Sequence, residues 1–166
     1  MNPKIIPLPA LTLLGLETHF ISARSPDANN LVLIPPLFGR FFARRAELPP
    51  TLDRFTYGAC RCLPADQRTR DDELVYLVCA SVDAAANVPA GMTIWRVPPF
   101  TYAQFTHRGP IARLSETINS IHGDWFPRSG YEHADGPELE RYDERFGDGG
   151  DKCELDYLVP VVPKAP

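Results

Sequence analysis

Apolar positions along this chain fall into short β-like runs, interrupted twice by helical spacing. The run LTLLGLETHFIS (Leu11–Ser22) is rich in strand formers and ends at the Ser25–Asp27 turn, which predicts a strand. Beyond the turn, Leu37, Phe38, Phe41 and Phe42 recur at helical spacing and predict an amphipathic helix over Ile34–Ala46. Asn29 or Asn30 is its expected cap. Pro35 and Pro36 have no amide hydrogen to give, so they fit only a first helical turn. RFTYGACRC (Arg54–Cys62) and ELVYLVCASV (Glu73–Val82) then read as two strands joined by a polar loop. The order is strand, helix, strand, strand.

The second half repeats that order. A strand is predicted at Thr101–Thr106, with another ahead of Pro98. In PIARLSETINSIHGDWF, Leu114, Ile118, Ile121 and Trp125 lie along one side of a helix. Glu138–Phe146 reads as a strand, GDGGD as a hairpin loop and KCELDYLVPVV as the last strand. One hexapeptide ties the halves together. ELVYLV at Glu73–Val78 returns as ELDYLV at Glu154–Val159, the closing strand of each half, and LETHF is echoed by QFTHR. One such unit cannot cover its own sheet, whereas two can share a core and leave a groove along their junction. The expected fold is therefore α+β, a duplicated strand–helix–strand–strand repeat within one domain, residues 1–166. Its pseudo-repeats span about 5–85 and 90–162.

Composition narrows the function. The chain has 166 residues and 44% hydrophobic content, enough for one packed interior. Its net charge is −4 and its arginines are scattered, with Arg44-Arg45 the only adjacent basic pair. Direct DNA binding needs clustered positive charge and is not expected. Cys60, Cys62, Cys79 and Cys153 are too few for a disulfide framework. Cys60 and Cys62 are one residue apart where zinc knuckles prefer two, so no metal is expected and the thiols read as buried in a reducing cytoplasm. His19, His107, His122 and His133 are singletons without a carboxylate or serine at catalytic spacing. No cofactor is implied. The opening KIIPLPALTLLGL is broken by Pro7 and Pro9, and no run approaches the ~20 apolar residues of a membrane span. A cytoplasmic protein is expected.

Six motifs in succession carry a family resemblance. GMTIWRVPPFTYAQFTHRGP, DWFPRSGYE, PELERYDERF and the terminal YLVPV, with PALTLLGLETHF and IPPLFGRFF before them, closely resemble the GyrI-like small-molecule-binding domain over about residues 5–162. That domain is the effector-binding half of many AraC-type and multidrug-sensing MerR-type regulators. The resemblance implies a curved antiparallel sheet with two helices and a ligand cleft between the repeats. It also implies a range of activities, from sensing lipophilic cations to binding DNA gyrase to hydrolysing cyclopropane-containing genotoxins. No helix-turn-helix pattern precedes the first strand, so a stand-alone form is expected.

The resemblance also assigns candidate residues. Glu140 sits in LERY, where the family pattern has its pocket glutamate. Strand parity puts Glu138, Glu140, Tyr142, Glu144 and Phe146 on one face, an acidic–aromatic mixture that suits a cleft lining, with Leu139 and Arg141 on the other. Trp125, at the end of the second helix, is the tryptophan that hydrolytic members pair with that glutamate. Tyr157 falls where drug-binding relatives have a tyrosine, and its hydroxyl is expected to hydrogen-bond Glu140. Tyr76 is its repeat twin. Phe38 stands where relatives often carry tryptophan, which removes an indole donor and leaves apolar packing. Tyr102 and Tyr57 are candidate wall residues that suit a core better than a pocket.

The leading expectation is a binding protein for small hydrophobic molecules, aromatic or cationic, held in an aromatic cleft with a central glutamate. The alternative is a hydrolase in which Glu140, as general base, opens a strained cyclopropane while Tyr157 or Trp125 stabilises the developing charge. A third reading is an acidic inhibitor that binds DNA gyrase.

Overall fold

A computed structural model describes residues 2–165. Among them, β1 (Lys4–Leu8), β2 (Leu11–Ile21), β3 (Thr56–Cys62), β4 (Glu73–Ser81) and β5 (Thr93–Val97) come from the first part of the chain. β6 (Phe100–Arg108), β7 (Tyr131–His133), β8 (Glu138–Tyr142) and β9 (Glu154–Pro163) follow. The helices are α1 (Asn30–Ala43), α2 (Leu114–Ser120) and the short α3 (Phe126–Arg128). The strands form one curved antiparallel sheet in the order β1-β6-β9-β8-β3-β4-β2-β5, and β7 pairs with the far end of β9.

The duplication is visible in that order. Outward from the centre, β3, β4 and β2 mirror β8, β9 and β6. The leading strand of each half pairs with the other half. β1 lies against β6, with Leu8 opposite Phe100, and β5 lies against β2, with Val97 opposite Leu11. The sequence pattern misses β1 because it is an edge strand, where Pro7 can sit without losing a ladder bond.

Two other elements depart from expectation. Helix α1 begins at Asn30, so Pro35 and Pro36 lie inside it and not in its first turn. Both prolines and the residues whose carbonyls they leave unserved, Leu31 and Val32, are exposed, and water can satisfy those oxygens. Asn29 precedes the helix as expected, but its side chain accepts a 2.7 Å hydrogen bond from the Ile21 N–H and so ties α1 to the end of β2. The strand expected over Glu138–Phe146 stops at Tyr142. Asp143 accepts a hydrogen bond from the Arg145 N–H and starts a 3₁₀ turn over Glu144–Phe146, which ends the strand alternation.

Each face of the sheet carries its own core. On one face α1 seats Leu37 and Phe41 against Phe20, Tyr76 and Val78. On the same face α2 and the π turn Ile121–Trp125 seat Leu114 and Ile121 against Phe105, Leu155 and Val159. The opposite face folds on itself, gathering Leu13, Leu77, Leu139 and Leu158 with Trp95 and Val97 from β5 and Ile6 and Leu8 from β1. No described helix is long and apolar enough to cross a membrane.

Candidate functional site

Where the halves meet, β3 and β8 run side by side between the two helical layers. Gly58 is opposite Glu140 and Cys60 is opposite Glu138, while on the other side of β8 Glu140 is opposite Tyr157. Leu139 is fully buried in the opposite core, so parity turns Glu138, Glu140 and Tyr142 toward the helices.

Glu140 sits in a cage of phenols. The Tyr76 hydroxyl donates to its Oε2 at 2.5 Å, and the Tyr142 hydroxyl donates to the same oxygen. Among the described residues none donates to Oε1. Burial pushes this carboxyl above the ordinary range, and the nearby Glu138 pushes the same way, against two phenol hydrogen bonds that favour the anion. Phe38 closes the cage, its ring 6.3 Å from Tyr76 and 5.3 Å from Tyr142. A cleft of about 370 Å³ opens beside it, sharing Phe38 and Tyr142 and continuing past Phe42, Phe146 and Arg45.

Gly58 makes this cage possible. A Cβ there would lie 1.8 Å from the Tyr76 hydroxyl and 3.0 Å from Glu140 Oε2. The signal available in the sequence is a lone glycine inside a strand, which marks close approach by another group.

Glu138 is served differently. Its Oε1 receives the Nε2 of His122 and of His133, each at 3.1 Å, and its Oε2 receives the Tyr157 hydroxyl. Both imidazoles must carry hydrogen on Nε2 to make these bonds. Burial alone would raise this carboxyl, but the histidine hydrogen bonds outweigh it and hold it at about 2. The hydrogen bond to Glu138 in turn raises His133. Histidines that look solitary in sequence thus converge on one carboxylate from the π turn and from β7.

The structure redistributes the expected residues. Tyr157 was expected to donate to Glu140 and donates to Glu138, while its twin Tyr76 takes Glu140. The diagonal reach follows from sheet twist, which carries a long side chain past its directly opposed neighbour. Trp125 is half-buried, stacked 6.1 Å from Tyr131 and set edge-on to Phe105 at 5.2 Å, with no hydrogen bond to either glutamate. Tyr102 is 1% exposed on the opposite face and donates to the Pro137 carbonyl at 3.3 Å, so it does not line this groove. Tyr57 shares that opposite core. Glu144 is exposed beyond the end of β8, while Phe146 returns to pack 4.9 Å from Tyr142.

The GyrI-like small molecule binding domain model matches residues 1–162. The chain belongs to the GyrI-like family. The transcriptional regulator BrlR of Pseudomonas aeruginosa is 29% identical over 163 residues, and the GyrI-like domain described here spans 97% of its own length but only 56% of that relative. Among solved structures, SAV2435 bound to tetraphenylphosphonium superposes with a TM-score of 0.70 at 17% identity, covering 98% of this domain and 94% of that chain. A hydrolase from Listeria innocua superposes with a TM-score of 0.54 at 13% identity, covering 97% and 92%. At these identities the two structures show that the fold is shared. As a GyrI-like domain the chain is a small-molecule-binding module.

Proposed function

We propose that this domain binds hydrophobic organic cations, with Glu140 as the counter-charge and Phe38, Tyr76 and Tyr142 as its aromatic surround. The observation that carries the reading is the one-sided service of the carboxylate. Both phenols converge on Oε2, and Oε1 has no donor among the described residues. A carboxyl whose ionisation is opposed by burial gains most from a cation beside it. A ligand N–H donor would contribute roughly 1.5–3 kcal/mol at that oxygen. A quaternary cation would gain about 0.5–2 kcal/mol from each well-placed ring. Tetraphenylphosphonium, the cation bound to SAV2435, is of this class.

Isothermal titration of tetraphenylphosphonium into wild type and Glu140→Gln tests the reading. Binding by wild type, weakened at least tenfold in the variant, is the expected result. Equal affinity for every cation tried in both proteins would remove Glu140 from the site.

A hydrolytic reading uses the same carboxyl, because burial raises its proton affinity, as a general base requires. Tyr157 is committed to Glu138, so the Trp125 indole N–H is the donor left to stabilise a developing charge. Mass spectrometry of cyclopropane electrophiles incubated with wild type and Glu140→Gln separates the two readings. Gyrase binding stands behind both, because Arg44–Glu47, Arg113–Glu116 and Arg108–Glu154 pair much of the surface acid.

A further inference from the structure

We infer that Arg45, in the wall of the cleft beside the Glu140 cage, receives a carboxylate from the ligand. The ligands this domain favours are then hydrophobic zwitterions, in which an aromatic cation is joined by a short tether to an acid. This rests on the cation reading above and specifies the ligand class.

Arg44 and Arg45 follow α1 side by side, yet the fold treats them differently. Arg44 is neutralised by Glu47, with Nε 2.8 Å from Oε1 and Nη2 2.5 Å from Oε2, and it also donates to the Ala90 carbonyl. Arg45 makes no ion pair among the described residues. Its one hydrogen bond there crosses to β3, where Nη1 donates to the Thr56 hydroxyl at 3.0 Å. The two acids that line the cleft are already matched, Asp143 by Arg145 at 2.8 Å and Glu144 by Arg54 at 3.1 Å. A guanidinium has five N–H donors, so most of those on Arg45 have no described acceptor.

That guanidinium is nevertheless held in place. Thr56, itself buried, fixes one nitrogen, and the Phe42 ring centroid lies 5.9 Å from Cζ. A side chain fixed in advance loses little further freedom when a carboxylate docks on its fork. The anchor also sets the spacing of the two charges. Thr56 is opposite Tyr142 and Gly58 is opposite Glu140, so the anchor of Arg45 lies two residues, roughly 6.6–7 Å, along β3 from the residue facing the carboxyl. Phe38, Phe42, Tyr142 and Phe146 line the cleft with rings, and its volume of about 370 Å³ is that of a small-molecule site. A plain cation uses the rings and Glu140 and leaves Arg45 to water. A ligand with both charges uses both ends.

The test compares two probes by calorimetry at pH 7.5. One is (4-carboxybutyl)triphenylphosphonium, a zwitterion with a flexible tether. The other is its methyl ester, which keeps the cation, the rings and the tether and lacks the negative charge. Wild type should bind the zwitterion about tenfold more tightly, the worth of one charge-assisted contact. Arg45→Gln, which can still donate to Thr56, should bring that ratio to about one and leave affinity for the ester within about twofold. If that variant does not fold, Arg45→Lys keeps the charge without the two-point fork and should still lower the ratio. Arg54→Gln/Glu144→Gln removes a matched pair and should leave the ratio in place. Glu140→Gln should weaken both probes alike. A preference that survives in Arg45→Gln, or that falls equally in the matched-pair variant, overturns the proposal. Equal binding of the two probes by wild type removes this proposal and leaves the cation reading standing. No binding of either probe removes both.

Discussion

Tyr76 on β4 and Glu140 on β8 are 64 residues apart in sequence and meet in a 2.5 Å hydrogen bond through the space that Gly58 leaves empty. Replacing Gly58 with alanine would drive a methyl group into the phenol. The Gly58→Ala variant should lose about 1–3 kcal/mol of stability by chemical denaturation. It should also lose cation affinity, because Tyr76 can no longer hold the carboxylate.

Glu140 sets function against stability. Its folded-state pKa is raised, so the stability it contributes is present while it is protonated and is lost as pH rises through that value. Glu140→Gln should therefore unfold at a higher temperature than wild type at pH 8, by the equivalent of about 1 kcal/mol, and bind cations more weakly. At pH 4 the difference in unfolding temperature should close. A Glu140→Gln protein less stable than wild type at pH 8 would contradict the assigned direction.

The tyrosines that serve the two glutamates should separate in solution. Tyr76→Phe removes a donor from Glu140, raises its pKa further and should move the pH midpoint of cation binding upward. Tyr157→Phe acts on Glu138 and should leave that midpoint in place. Calorimetric titrations over pH 5–8 with tetraphenylphosphonium read both shifts.

For Glu138 the sign is reversed. Its pKa, held at about 2, makes its contribution fully present above the unfolded carboxylate value and progressively lost as pH falls toward 2. His133 is raised, so its contribution is present below the unfolded imidazole value and lost as pH rises through the folded one. The pair is strongest between those limits. Glu138→Gln should be destabilised by on the order of 2 kcal/mol near pH 5.5, less at pH 8, and hardly at all at pH 2.

Much of this was legible in the residues themselves. Two helical spacings and a returning ELxYLV disclose a duplicated α+β fold, because amphipathic periodicity is a local property of the chain. The face shared by Glu138, Glu140 and Tyr142 was legible too, since alternation within one strand fixes which face a side chain takes, whereas the choice of Glu140 itself came from the family resemblance. The rest depends on distances that no local pattern encodes. Tyr157 donates to Glu138 and not to the expected Glu140, which its twin Tyr76 serves, because sheet twist selects diagonal partners. The histidines reach Glu138 from elements separated by a π turn and a short strand. Alternation fails at Asp143 because a capping hydrogen bond outcompetes the strand there.

The exchange of β1 and β5 between the halves makes this chain a dimer in one piece. A half-length chain of the same design would keep an open edge until a second copy supplied its leading strand, so the halves should not survive separation. Fusion brings a freedom that such a dimer would lack. Two identical subunits must place identical side chains on both central strands, and carboxylates on each would crowd four negative charges onto the axis between them. A single covalent chain can set Glu138 and Glu140 on β8 opposite Cys60 and Gly58 on β3, so one side of the axis carries the charge and the other makes room for it.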